Sequence, residues 1–183
     1  MIDLATRDIR GNPVPQYGGT LHFTSSDTSS GVVLPADSSL TNGQGTFSVT
    51  LTKAGAQTVT ATDTATASIT GSVSVTVKPG AAASLTLGAP ATATVNQSFN
   101  VTVTAKDRYG NVATGYRGTV QFTSSDLLAT LPANYTFTAG DGGAHSFSVT
   151  LVTPPSQSVT VTDTANASLT ASAQITVKLP LLP

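Results

Sequence analysis

Nine aspartates and no glutamate supply every side-chain carboxylate of this 183-residue chain. Two of them stand where they could do chemistry. Phe99, Val101, Val103 and Ala105 alternate with polar residues, and Asp107 is the next member of that apolar series. Val159 and Val161 lead to Asp163 in the same way. Alternate residues of a strand share a face, so both carboxylates are expected to point inward. If these two strands lie in opposite sheets of a sandwich and run in one direction, both aspartates stand at one end of the core. Like charges placed there repel unless compensated.

Two arrangements would compensate them. Each aspartate can accept N–H bonds from its own turn, with Asn111 assisting, as in Asx-turns. Alternatively a hard cation, calcium, can be held by Asp107, Asp163, Asp141 and carbonyl oxygens. Asp8 and Asp63 are the counterparts of the pair earlier in the chain, whereas Asp141 has no clear counterpart there. The expectation is therefore no metal and no cofactor, with Asp107 and Asp163 as the calcium candidates.

Nucleophilic chemistry has weaker support. A reactive serine needs a base and a group that orients it. The two histidines, His22 and His145, fall inside strands at non-equivalent places and are read on the polar parity. No enzyme is expected.

The elements that must position these groups are strands. The chain has 33 Thr and 20 Ser, 9% charged residues, and neither Cys nor Trp. Thr and Val favour pleated strands, and residues that favour helix interiors are scarce. That composition argues against helical bundles and α/β enzyme folds. A net charge of −1 offers no basic footprint for nucleic acid. No uncharged stretch reads as a membrane-spanning helix, so no membrane insertion is expected. The absence of Cys excludes a disulfide framework.

The chain also contains itself twice. Tyr17–Asp27 recurs as Tyr116–Asp126, a displacement of 99. Phe47–Leu51 recurs as Phe147–Leu151, and Thr62–Ala65 as Thr162–Ala165, both displaced by 100. A repeat of this length suits an independent sandwich domain. The reading is two copies, at 1–78 and 84–178, joined by a short linker at 79–83 that sets them end to end and followed by a tail at 179–183. Ile2 aligns with Val101, so the first copy lacks a counterpart of Ser84–Val95. Seven short strands are expected in the second copy, with Phe23, Phe47, Phe122 and Phe147 as buried anchors. The fold class is all-β: two tandem Greek-key sandwiches, the first truncated at its N-terminal side.

The run from Asp107 to Asp126, with Leu131-Pro132-Ala133, Asp141–Phe147 and Val161–Ala165, resembles tandem bacterial Ig-like domains, related in pattern to invasin and intimin repeats. The resemblance implies an extracellular or bacterial cell-surface location and a structural, spacer-type role. Its expected partners are neighbouring Ig-like repeats of the same or an identical chain. Two other roles remain: a filament subunit whose first sandwich is completed by another chain's strand, and a module that binds carbohydrate or host protein through end loops. The 179–183 tail is a candidate strand donor, limited by its two prolines.

Overall fold

The computed structural model describes residues 1–180. Its contacts divide into two compact units, Met1–Lys78 and Pro79–Pro183. The first holds β1 (Ile2–Ala5), β2 (Thr20–Ser25), β3 (Ser38–Ser39), β4 (Gln44–Phe47), β5 (Gly55–Asp63) and β6 (Thr70–Val77). The second holds β7 (Ser84–Gly88), β8 (Thr92–Thr94), β9 (Ser98–Lys106), β10 (Thr119–Ser124), β11 (Tyr135–Thr136), β12 (Ala144–Thr150), β13 (Ser156–Asp163) and β14 (Thr170–Lys178). A 3₁₀ turn spans Ala139–Asp141. No helix among the described residues is long and apolar enough to cross a membrane.

The second unit is a two-sheet sandwich. One sheet has the order β12-β9-β7 and the other β11-β10-β13-β14-β8. Period-two sequence produces it: in β9, Val101, Val103 and Ala105 are buried while Thr102 and Thr104 are not. Val120, Phe122, Val159, Val161, Ile175 and Val177 close the core from the opposite sheet. Each such large side chain contributes roughly 1.5–3 kcal/mol of burial.

Eight strands stand where the sequence suggests seven. The first segment breaks at residues 89–91, where Pro90 can donate no ladder bond. Its first half, β7, runs antiparallel to β9, and its second half, β8, runs parallel to β14. One segment thus edges both sheets.

The first unit repeats this plan with two strands fewer. Its sheets are β1-β4 and β3-β2-β5-β6. Ile2 faces Phe47 as Val101 faces Phe147, which fixes the equivalence of the repeats. The N-terminal half of β12 pairs as β4 does, but β12 continues to Thr150 along Phe99, Asn100 and Ser98. Among the described residues no strand lies beside β1 or β6 in the places β7 and β8 take in the second unit. The consequence corrects one expectation: Phe23, Phe122 and Phe147 are buried, but Phe47 is only partly so. Val49 and Leu51 are likewise partly exposed, where Val149 and Leu151 are buried.

Candidate functional site

The carboxylates that sequence singles out turn out to be part of a larger set. Asp27, Asp63, Asp107, Asp126 and Asp163 are all buried. Burial of an uncompensated charge is costly, so their partners decide what they do.

Asp107 sits one residue past β9. It accepts the amides of Tyr109 and Asn111 at 2.9 Å, the Asn111 Nδ2 at 2.9 Å and the Gly80 amide at 2.9 Å. Burial opposes its ionisation, but the Asn111 side chain and these amides outweigh that and hold its pKa below the ordinary value. Its counterpart Asp8 makes the same turn, with Arg10 and Asn12 as donors, yet is exposed.

Asp163 ends β13 and caps the following turn through the amides of Ala165 and Asn166, at 2.8 and 2.9 Å. Its other oxygen accepts the Tyr116 hydroxyl at 2.5 Å. Asp63 repeats this with Ala65, Thr66 and Tyr17. Burial, then the bond to the carboxylate and its charge, pushes the Tyr17 phenol up to about 12 and moves Tyr116 in the same direction. The lock needs glycine: a methyl group on Gly118 would overlap both Asp163 Oδ2 and the Tyr116 phenol, and one on Gly19 would strike Asp63 and Tyr17.

Asp27 and Asp126 do a third job, although the Ser-Ser-Asp runs that carry them have turn composition. Asp126 follows β10 but accepts the amides of Val152 and Thr153 at 2.6 and 2.9 Å, fastening the loop after β12. Burial opposes this charge too. The Val152, Thr153 and Leu128 amides and the Thr153 hydroxyl prevail and lower the pKa to about 2. Asp27 clasps Thr52 and Lys53 in the first unit at 2.7 and 2.8 Å. The signal was in the sequence, since the Ser-Ser-Asp and Phe-Ser-Val-Thr-Leu runs repeat together, but nothing local states that they touch.

Asp141 belongs to a fourth network, in the 3₁₀ turn. It accepts the Thr138 amide at 2.6 Å and the Tyr135 hydroxyl at 3.1 Å, and pairs with His145 Nδ1 at 2.6 Å. The Thr138 amide is the chief cause of its lowered pKa. His145 is not on the polar parity. It shares the face of Phe147 and Val149, stacking on Tyr135 with ring centroids 4.1 Å apart. His22 is exposed and pairs with Asp37 at 2.7 Å.

Asp107, Asp163 and Asp141, which the calcium reading would combine, thus have no hydrogen-bond partner in common. Among the described residues no group of three or more His, Cys, Asp or Glu is placed to hold a metal ion. Every buried side-chain nitrogen and oxygen described has a hydrogen-bond partner.

No protein-family model matches the chain, and no curated protein matches it. Solved structures of bacterial surface proteins resemble it. Domains 4 and 5 of the S-layer protein SbsC are 21% identical, with 94% of this chain and 78% of that one covered at a TM-score of 0.38. The Escherichia coli adhesin FdeC is 22% identical, with 96% and 58% covered at 0.44. Invasin, a bacterial integrin-binding protein, is 23% identical, with 99% and 36% covered at 0.44. The chain therefore spans a little over half of the FdeC structure and about a third of the invasin one.

Proposed function

We propose that the chain is a structural pair of Ig-like repeats from a bacterial extracellular surface or adhesin-type protein, acting as a non-catalytic spacer. One observation carries this. The buried carboxylates, the groups best suited to catalysis or metal binding, are engaged by amides and phenols of their own unit, in the same way twice over. Such groups hold loops to the sandwich; they do not await a ligand. The outward Thr rows suit a hydrated surface with little charge. The motif resemblance supports the surface location.

Force-ramp extension of the full chain, held by its two ends, tests the reading. A spacer should resist load and then release residues 84–178 in one step of roughly 340 Å, at about 3.6 Å per residue. Glycan and host-protein arrays should give no saturable signal. Gradual yielding without a step, or saturable binding to one glycan or host protein, would overturn the proposal.

A further inference from the structure

We propose that the open side of the first unit, between β1 and β6, is an acceptor groove for an extended polypeptide segment patterned like Gly80–Val95 of this chain. The inference goes beyond the spacer reading and does not depend on it.

The second unit displays the filled form of the groove. There Leu85 stands opposite Ala105 and Leu87 opposite Val103, and after the Pro90 break Ala93 stands opposite Val177. Leu85 and Ala93 are buried, while Leu87 and Val95 pack against the core. Main-chain bonds fasten both ends: Ala83 N to Lys106 O at 2.7 Å, Thr176 N to Ala91 O at 3.0 Å and Val95 N to Lys178 O at 2.9 Å. The Gly80 amide reaches Asp107 at 2.9 Å.

The first unit presents the same walls uncovered. Ile69 and Val75 are 42% and 38% exposed, where their counterparts Leu169 and Ile175 are 6% and 0% exposed. Val73 is 41% exposed. Two depressions, of about 580 and 350 Å³, open between β1 and β6; Leu4, Leu21 and Ile69 line one, Ile2, Val73 and Val75 the other. Asp8 lies exposed where Asp107 is covered by Gly80.

The equivalence of the units then dictates the register. The segment's first leucine falls opposite Thr6, its second opposite Leu4, and its later alanine opposite Val77. Its leading glycine amide meets Asp8.

A polypeptide fits this groove better than a small apolar ligand does. β1 and β6 each end their sheet, so both walls offer unpaired ladder groups as well as apolar side chains. Strand addition satisfies both. A second copy of this chain is a poor donor. Withdrawing its own Gly80–Val95 would open the equivalent groove in its second unit, so the exchange gains nothing. The occupant is an extended segment with the pattern of residues 80–95: two alternating leucines, a proline break and then an alanine.

The probe is a synthetic peptide with the sequence of residues 80–95, added to the full chain. Hydrogen exchange is followed at residues 2–6 and 69–77, with light scattering for assembly state. Saturating peptide should slow exchange there at least tenfold and leave the second unit unchanged. A peptide carrying Leu85→Asp and Leu87→Asp should bind at least tenfold more weakly. Unchanged exchange at saturation, equal protection by the doubly substituted peptide, or protection outside the groove would overturn the proposal. So would a peptide-free dimer already protected at β1 and β6, because a second copy would then be the occupant.

Discussion

The hydroxyl of Tyr116 donates a 2.5 Å hydrogen bond to Oδ2 of Asp163, joining the approach to β10 with the end of β13 across 47 positions. Tyr17 and Asp63 make the same link in the first unit. Replacing Tyr116 by Phe keeps the ring against Phe137, whose centroid lies 4.9 Å away, but leaves a buried carboxylate one donor short. Bonds to charged groups contribute about 1.5–3 kcal/mol, and Tyr116→Phe should cost that much in urea unfolding. A loss under about 0.5 kcal/mol would mean that the turn amides hold Asp163 unaided.

Gly118 tests the same lock from its other side. Its missing Cβ is what lets the phenol and carboxylate close over the backbone. Gly118→Ala should cost roughly 1–3 kcal/mol by overpacking. Combined with Tyr116→Phe it should cost clearly less than the two single losses added, because neighbours that share one interaction are not additive. Strict additivity would place the strain elsewhere.

Alkaline titration gives the lock a pH signature. The Tyr17 phenol is raised to about 12, against about 10 in an unfolded chain. Between those values the folded state keeps a proton that the unfolded state has lost. Stability from this group is therefore complete below about pH 10 and is lost as pH rises towards 12. Tyr116 shifts in the same direction. Phenolate absorbance should show three of the four tyrosines, Tyr17, Tyr116 and Tyr135, titrating late, together with unfolding, and Tyr17→Phe should remove one of them.

Much of this was legible before the structure. Strict alternation around Val101, Val103 and Ala105 gave β9, and Asp107 followed from the same parity. The repeats gave one plan for both units. What escaped is long-range or depends on a partner. Tyr116 reads as a packing residue, but its bond to Asp163 joins segments far apart in sequence. Asp126 reads as a turn residue because its own loop has turn composition, while the amides it holds lie 26 and 27 positions away. Phe47 matches Phe147 perfectly in sequence pattern; its partial exposure reflects the strands absent beside β1 and β6. His145 reads as polar by residue type, but its spacing from Phe147 and Val149 puts it on their inward face.

Acid should find the other clamp. Asp126 has its pKa lowered to about 2, while an unfolded aspartate sits near 3.9. Its stabilisation is present above about pH 4 and fades as pH falls towards 2. Asp126→Asn should therefore lower the urea midpoint most at pH 5 and above, and the gap from the parent chain should narrow below pH 4. A gap that stays constant from pH 5.5 to 2 would show that the carboxylate charge is not what holds Val152 and Thr153.

The two units should also differ in the worth of one aromatic residue. Phe147 packs on Phe122 with centroids 4.8 Å apart, and Phe47 packs on Phe23 at the same 4.8 Å. The ring pairs match; the surroundings do not, since Phe147 is buried and Phe47 partly wet. Truncating a buried phenylalanine costs about 3–5 kcal/mol, the sum of lost transfer energy and a residual cavity. Both parts shrink where water already reaches the ring and the walls can settle. Phe147→Ala should therefore cost about 3–5 kcal/mol, read from hydrogen exchange of β12 and β13, and Phe47→Ala less than half as much, read from β4 and β5. With the residue 80–95 peptide bound, the Phe47→Ala loss should grow towards the Phe147 value, because the segment that dries the groove also dries the ring. Equal losses without peptide would mean that the first unit keeps water from its core despite the two strands it lacks.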